Sequence, residues 1–524
     1  MSRKSEETDV NQSSISQESA GLTAAVSGFA ELVRHWASVD PGRTAVEHDG
    51  AVCSYGSLDA AADRVADVLR SRGFRQNDRL FIVGENTIGT LILALACNRL
   101  EGCASIVNAR MAVAEIRTLA AFADPRLCAV ASGGSASAGL YADEVCTETV
   151  HDELGGEIRL SPVRAESEPN PAAADRRGDI GLIMFTSGTT GTPKGVMLTN
   201  ATLLAQAQAQ CAARSLTGED RLYLISPLSH SVGFASNLLA TFAAGAMVTI
   251  RVRFSVAHLV ESLLAGRVSV LITVPQVYTQ ILDYAEQHGL AFPPDCLRVA
   301  GCGGASLDPD VKARVKEKFG LILGNGYGAT ELVPIARVPE NLDVESNVVG
   351  AVHPDVDLRI VDDEGRDVPA GEAGEIWARG PFLMAGYFRN SEATAEVMRP
   401  GGWLATGDIG KLTADGLLAI VGRKKEIIIR SGFNVYPADV EAALTSHPDV
   451  AVAAVVGRAV QGNEEIVAFV QPFAGRHPDP EAVRAHLRET LTPYKVPSEI
   501  VVLDELPVGP TGKILKSALK KFIG

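Results

Sequence analysis

Paired cysteines are missing. Cys53, Cys97, Cys103, Cys128, Cys146, Cys211, Cys296 and Cys302 are scattered, with no Cys-x-x-Cys and no His/Cys cluster. A zinc-finger pattern and a disulfide framework are thereby excluded, and the cysteines are expected as small core residues in a reducing compartment. Basic charge is also scarce. Forty-eight Lys and Arg face 63 Asp and Glu, a formal charge of −15, which argues against a nucleic-acid scaffold but leaves room for a local basic site. No apolar run is long enough to span a bilayer. The start, Met1-Ser2-Arg3-Lys4-Ser5, leads into a polar stretch without an apolar signal core, so no secretory signal is expected. Lys521-Phe522-Ile523-Gly524 is not a peroxisomal Ser-Lys-Leu address. The expectation is a cytoplasmic protein without a membrane span.

What is present is ordinary globular composition: 524 residues, 46% hydrophobic and 21% charged, enough for more than one domain. Residues 1–20 are polar and aperiodic and read as a disordered tail. Ser57 can cap a helix with apolar positions Leu58, Ala61, Ala62, Val65 and Leu69, stopped by Gly73. A strand over Leu80–Val83 and an apolar helix over Thr90–Leu100 follow. This alternation predicts a mostly parallel sheet with helices on its faces through most of the chain before residue 400. Residues 161–178 read as a linker. Strands near Val452–Val456 and Ile466–Val470 and a helix near Pro480–Thr490 make the end of the chain a small α+β unit.

The chain is organised around Thr186-Ser187-Gly188-Thr189-Thr190-Gly191-Thr192-Pro193-Lys194-Gly195. Strand-like runs Ile180–Phe185 and Val196–Leu198 flank it, and Asn200 is placed to cap a helix through Leu203 and Gln206. Glycines let backbone N–H groups close on an anion, the hydroxyls add donors and Lys194 adds charge. The loop grips phosphate by composition. It is not a Walker A loop, because Lys194 sits between Pro193 and Gly195.

Further markers follow in order. Ser226-Pro227-Leu228-Ser229-His230-Ser231-Val232-Gly233-Phe234 carries a histidine whose default reading is structural. The run Leu297–Ala300 empties into Gly301-Cys302-Gly303-Gly304-Ala305-Ser306, small enough for a flat ring to lie on backbone, or a tight turn. In Gly326-Tyr327-Gly328-Ala329-Thr330-Glu331 a tyrosine can stack, a threonine can donate to phosphate and a glutamate can hold a hard cation. Thr406-Gly407-Asp408 carries an aspartate whose default reading is a cap or a solvated surface group, although a carboxylate can also accept from two hydroxyls at once. Arg423 opens a charged turn, and Pro510-Thr511-Gly512-Lys513-Ile514 closes the set.

In this order the motifs resemble those of the adenylate-forming superfamily: acyl- and aryl-CoA ligases, peptide-synthetase adenylation domains and firefly-type luciferases. The resemblance runs from about residue 25 to 522. It implies an α/β fold with a large N-terminal domain of mixed sheets (21–424) and a small mobile α+β C-terminal domain (425–524), with Lys425 as hinge. It implies ATP/AMP contacts from Thr186, Ser187, Gly188, Thr189, Thr190, Lys194, Gly303, Gly304, Ala305, Gly326, Tyr327, Gly328, Asp408 and Arg423. Lys513, His230, Thr330 and Glu331 take the catalytic roles, and Glu331 with Thr190 the metal. His230, Val232, Phe234, Gly303, Gly326, Leu332 and Ile335 line the acyl pocket, and Gly432 borders the CoA tunnel. ATP, Mg²⁺ and coenzyme A are the implied cofactors and co-substrates, and a homodimer is expected by analogy alone.

The expected activity is that of an AMP-forming acid–CoA ligase. A carboxylate attacks the ATP α-phosphate, pyrophosphate leaves, and a thiol then displaces AMP. A peptide-synthetase domain is disfavoured, because little chain follows Lys513 where a carrier domain of roughly a hundred residues is usual, and no aspartate lies between Ser231 and Thr249 for an α-ammonium. Loading of a separate acyl-carrier protein is the main alternative, and a catalytically silent nucleotide-binding protein the other. Apolar Val232, Phe234, Leu332, Val333 and Ile335 favour one hydrophobic monocarboxylate, aryl or medium-chain.

Overall fold

The computed structural model describes residues 21–523 apart from 132–133, 165–178, 187–193, 294–295, 305–306, 340–341, 346, 431–432, 461–462, 474 and 510–513. The expected tail 1–20 and most of the 161–178 linker lie outside the described residues, and so do Ser187, Gly188, Thr189, Thr190, Ala305, Gly432 and Lys513. Two large sheets and a separate three-stranded sheet organise the described chain.

The eight-stranded sheet has a parallel centre. Arg79–Gly84 lies between Cys103–Asn108 and Leu127–Ala131, and Cys103–Asn108 pairs in turn with Ile180–Thr186. Lys194–Thr199 returns antiparallel to Ile180–Thr186, with Thr186 opposite Lys194. The ends of these two strands therefore hold the phosphate-loop sequence between them. Helix Ile88–Arg99 packs on this sheet and is buried along its whole face set from Ile88 to Asn98. Its sequence is apolar all round, which suits a helix covered on every side.

The fourteen-stranded sheet changes character midway. From Thr44–His48 through Met247–Ile250, Arg221–Leu224, Val270–Thr273 and Val299–Gly303 to Gly324–Ala329 the neighbours run parallel. Helices Val256–Leu264, Pro275–Gln287 and Pro309–Phe319 supply the crossovers a parallel sheet needs. Beyond Gly324 the pairing is antiparallel, through Leu332–Arg337, Val348–Val352, Leu418–Arg423, Trp403–Leu412, Gly374–Arg379 and Asp357–Val361. The predicted strand–helix alternation thus stops at Phe319. The Thr330-Glu331 turn and the connection from Leu412 to Leu418 are too short for a crossover, so the strands they join run antiparallel.

Two predicted caps shift. Helix Tyr55–Ser71 is capped by Ser54, which accepts from Ser57 N–H while the Ser57 hydroxyl accepts from Ser54 N–H. Ser57 is the reciprocal partner, and Gly73, at φ +85°, follows the helix end as expected. Helix Asn200–Ala213 is capped by Thr199, not Asn200. The buried Asn200 amide is committed elsewhere, accepting from Asn98 Nδ2 and donating to Asp179 Oδ1, each at 2.8 Å.

The end of the chain forms its own core. Val450–Val460, Asn463–Pro472 and Glu499–Val502 make the three-stranded sheet, against which helices Pro437–Thr445 and Pro480–Thr490 pack through Val440, Leu444, Val483 and Leu487. Seven of the eight cysteines are buried. Among the described residues no helix is long and apolar enough to cross a membrane.

Candidate active site

Thr186 and Lys194 stand opposite each other where their two strands end, and the Thr186 hydroxyl donates to the Lys194 carbonyl at 3.5 Å. The Lys194 ammonium lies over the Tyr387 ring, 4.7 Å from its centroid. Tyr387 belongs to the two-residue strand Gly386–Tyr387, which pairs antiparallel with Met197 and Val196. Sequence reasoning did not single out Tyr387; its signal is the Gly386-Tyr387 step shortly after Gly380-Pro381.

The segment Ser226–Phe234 is held by Asn86, another residue the motifs did not reveal. Its Oδ1 accepts from Leu228 N–H at 2.9 Å and its Nδ2 donates to the Ser226 carbonyl at 3.2 Å. His230 Nδ1 accepts from Val232 N–H at 3.3 Å, so a neutral ring carries its proton on Nε2. The chain then enters a π-helix, Val232–Leu239, a rare geometry concentrated at functional sites. Gly233 permits it: a Cβ there would stand 2.1 Å from the Pro227 carbonyl oxygen. Ser231 Oγ lies 3.5 Å from Thr330 Oγ1, which brings the histidine segment beside the Thr330 turn.

Strands Val299–Gly303 and Gly324–Ala329 set Gly301 beside Gly324 and Gly303 beside Gly326. A Cβ on Gly303 would lie 3.1 Å from the Gly326 carbonyl oxygen, so the two strands present a bare backbone surface. Gly304 follows at φ +77°. Gly328 has a packing reason of its own, since a Cβ would come within 2.7 Å of Val333. Thr330 and Glu331 are the two turn residues between Ala329 and Leu332, which pair with each other. Glu331 Oε1 accepts from the Tyr387 hydroxyl at 2.7 Å, and its carbonyl accepts from Met384 N–H at 2.8 Å. Burial and the Glu331 carboxylate push the Tyr387 phenol far above its ordinary pKa, which keeps it a donor.

Phe234, Leu332 and Ile335 are fully buried in the main core, and the Phe234 ring meets Phe29 edge-on at 5.3 Å. Val232 and His230 are only partly buried.

The Asp408 carboxylate is buried and gripped on both oxygens. Tyr327 donates its hydroxyl to Oδ2 at 2.7 Å, and Arg423 Nε stands 3.1 Å from Oδ1. Asp408 and Arg423 are register partners on adjacent strands. Thr406 Oγ1 accepts from Asp408 N–H and donates to the Ile376 carbonyl. Burial first, then the Asp408 charge, drive the Tyr327 pKa well up.

Past Arg423 the chain turns through a 3-10 segment, Lys424–Glu426. Lys424 Nζ pairs with Asp363 at 2.9 Å and Glu375 at 3.3 Å, and both Lys424 and Lys425 are exposed. Glu426 pairs with Lys516 at 2.8 Å, and Lys516 also pairs with Glu441 at 2.9 Å. Burial alone would lower the Lys516 pKa, but the two carboxylates outweigh it and raise it. Ile514, next to Lys513, bridges antiparallel to Val508.

Among the described residues no group of three or more His, Cys, Asp and Glu side chains converges to cage a metal. A single oriented carboxylate, Glu331, fits the other arrangement, in which Mg²⁺ takes one or two protein carboxylates and completes its shell with substrate phosphates and water.

The family model described as "AMP-binding enzyme" matches residues 33–388, and the one described as "AMP-binding enzyme C-terminal domain" matches 439–513. A feruloyl-CoA synthase of Amycolatopsis sp is 33% identical over 93% of this chain and 97% of its own length. An indoleacetate–CoA ligase of Aromatoleum aromaticum is 31% identical over 94% and 98%. The o-succinylbenzoate CoA synthetase of Bacillus subtilis, solved with an acyl-adenylate intermediate, superposes with a TM-score of 0.78 over 93% of this chain and 97% of that one, at 25% identity.

Proposed function

This chain belongs to the family of AMP-binding enzymes, and from that premise we propose that it is an ATP-dependent acid–CoA ligase acting on an aromatic monocarboxylate. The observation that carries the reading is one hairpin, Gly324–Arg337. It bears the bare backbone of Gly326, the Tyr327 hydroxyl tied to Asp408, and Thr330 and Glu331 at its turn. In this reading the hairpin carries the adenine platform and the metal carboxylate and, through Tyr327, orients the ribose carboxylate of Asp408 on the neighbouring strand.

The reaction has two halves. An oxygen of the acid attacks the α-phosphorus, the α–β phosphoanhydride bond breaks, and pyrophosphate leaves with an acyl-adenylate behind. The CoA thiol then attacks the acyl carbon, loses its proton, and AMP departs. Asp408, oriented by Tyr327 and Arg423, takes the ribose hydroxyls. Gly303, Gly304, Ala305, Gly326 and Gly328 receive the adenine, with Tyr327 at its edge. Thr186, the Ser187–Thr190 hydroxyls and Lys194 take the phosphates, and Thr330 the α-phosphate. His230 and Val232 stand at the acid, with Phe234, Leu332 and Ile335 as the apolar backing behind it. Glu331, together with Thr190, would hold a magnesium ion, whose charge would offset that of the phosphates. Lys513 is assigned the carboxylate and α-phosphate contact of the first half.

Exchanging Lys513 for a thiol channel past Gly432 calls for rotation of residues 425–524 about Lys425 relative to 21–424. A cytoplasmic setting, where ATP and CoA are available, belongs to the same proposal. Relatives acting on feruloyl and indoleacetyl groups favour an aryl acid over a medium-chain one.

Pyrophosphate release over a panel of benzoates, hydroxycinnamates, arylacetates and C4–C16 fatty acids, with and without CoA, tests this. Release with an aryl acid plus its CoA thioester is the expected result, and Lys513→Ala should abolish release while retaining ATP binding. Release without thioester would replace CoA by a carrier protein or another acceptor. Absence of release across the panel would overturn the ligase reading.

A further inference from the structure

Lys194 and Glu331 come from different sheets. Lys194 ends the outgoing strand of the phosphate loop in the eight-stranded sheet, and Glu331 sits at a turn of the fourteen-stranded one. One side chain touches both. The Tyr387 hydroxyl donates to Glu331 Oε1 at 2.7 Å, and its ring face carries the Lys194 ammonium at 4.7 Å. Among the described residues neither Lys194 nor Glu331 enters an ion pair.

Opposite charges on the two sides of one side chain attract each other, and a long lysine has the freedom to close on a carboxylate. Such a pair would cancel the charge meant for phosphate and occupy the oxygen meant for the metal. An aromatic ring with a hydroxyl at its tip prevents this. The ring face satisfies the ammonium weakly through its quadrupole, and the hydroxyl orients the carboxylate while leaving its other oxygen unused by it. Both charges are held ready and apart.

The ring is itself well anchored. Tyr387 N–H donates to Thr394 Oγ1 at 2.9 Å, Phe388 N–H to the Gly195 carbonyl at 2.7 Å, and Ala385 N–H to the Met197 carbonyl at 2.8 Å. Met384 N–H reaches the Glu331 carbonyl at 2.8 Å. The segment from Met384 to Phe388 therefore straps the Glu331 turn to the phosphate-loop strand, and Tyr387 projects from the middle of the strap.

We propose that Tyr387 is a positioning residue that keeps Lys194 and Glu331 from pairing with each other and presents them separately to nucleotide phosphate and to Mg²⁺. This rests on the nucleotide-binding reading above and goes beyond it by assigning a role to a residue outside the motif set.

The test uses full-length wild type, Tyr387→Phe, Tyr387→Leu and Thr394→Val, with calorimetric ATP titrations at stepped Mg²⁺ as the readout independent of turnover. Pyrophosphate release over the same Mg²⁺ range and thermal melting accompany them. Tyr387→Phe keeps the spacer and loses the hydroxyl. It should need about tenfold more Mg²⁺ for half-maximal effect, with ATP affinity at saturating Mg²⁺ within about twofold of wild type. Tyr387→Leu removes the spacer as well, and should lose a further factor of about ten in ATP affinity that saturating Mg²⁺ does not restore. Thr394→Val loosens the strap without touching the phenol, and should lower the melting temperature with an unchanged Mg²⁺ midpoint.

A wild-type Mg²⁺ midpoint in Tyr387→Phe would overturn the proposal, and so would losses in both tyrosine variants that merely track their melting temperatures. A wild type that binds Mg·ATP yet releases no pyrophosphate would sink the ligase reading alone, because the calorimetric comparison still decides the role of Tyr387. A wild type that binds no ATP at all would overturn both.

Discussion

The Tyr327 hydroxyl donates to Asp408 Oδ2 at 2.7 Å, joining the glycine-rich hairpin to the strand Trp403–Leu412 at the point where Arg423 holds the other carboxylate oxygen. The Asp408 carboxylate is buried, and the bond fixes tyrosine and carboxylate together. With one partner on each oxygen, Asp408 keeps one orientation and still has lone pairs to spare.

Removing that bond should weaken nucleotide binding before it weakens the fold. Tyr327→Phe is expected to raise KM for ATP about three- to tenfold, with kcat less affected, since the lost interaction is one hydrogen bond to a charged group. Asp408→Ala should be worse, because it deletes the acceptor and leaves the Tyr327 hydroxyl unpaired. Steady-state kinetics with ATP varied measure both. Equal KM values for Tyr327→Phe and wild type would show that Asp408 needs no orienting partner.

Gly233 is a tight spot. A methyl group there would meet the Pro227 carbonyl at 2.1 Å, so either the turn or the π-helix must move. Gly233→Ala is expected to cost about 1–3 kcal/mol in urea unfolding. Gly139→Ala is the control: its Cβ meets nothing within 4 Å in the helix Ala136–Val145, and it should stabilise by about 0.5–1 kcal/mol. Similar unfolding midpoints for the two variants would contradict the geometry.

The bare strand pair predicts a second glycine effect. Gly303→Val would place a branched side chain over the Gly303–Gly326 surface. The expected outcome is at least a tenfold loss of ATP or acid affinity, the order of one lost well-packed contact, with a lowered melting temperature because the Cβ already stands 3.1 Å from the Gly326 carbonyl oxygen. Retained affinity would mean that the ligand lies elsewhere.

Lys516 predicts a pH dependence. Its ammonium, paired with Glu426 and Glu441, has a folded pKa raised above the ordinary 10.5. A raised folded pKa means that its stabilisation is complete below 10.5 and is lost as pH climbs through the shifted value. Stability should therefore fall on the alkaline side, and Lys516→Met should lose that part of the slope. At neutral pH the variant is expected to be less stable by about 1–2 kcal/mol, because two carboxylates lose their cation. Urea unfolding at pH 8 and above pH 10.5 separates the two effects; parallel curves for wild type and variant would remove the assignment.

Much of this architecture was legible in the chain. Apolar runs located the strands Arg79–Gly84, Ile180–Thr186 and Val299–Gly303, and helix Pro480–Thr490, because burial imposes periodicity on residues close in sequence. The switch from parallel to antiparallel after Gly324 was not legible, since a strand reads alike in either direction. The caps failed by one to three residues for a related reason. Ser54 and Ser57 are both good caps, and only the pair bonds formed decide which one ends the helix; Asn200 was drawn away by Asn98 and Asp179, distant in sequence.

The candidate site divides along the same line. Asp408, Glu331, Lys194 and Gly303 stand in short contiguous motifs, which a local run of residues displays in full. The sequence by itself therefore determined the chemical inventory and the family of AMP-binding enzymes to which the chain belongs. Tertiary structure alone decided which groups meet: Tyr327 with Asp408, Tyr387 between Lys194 and Glu331, Asn86 under the His230 turn, and Lys516 against Glu426. These partners are separated by tens to hundreds of positions, and a hydrogen bond depends on distance and angle in space, which no local run of residues encodes.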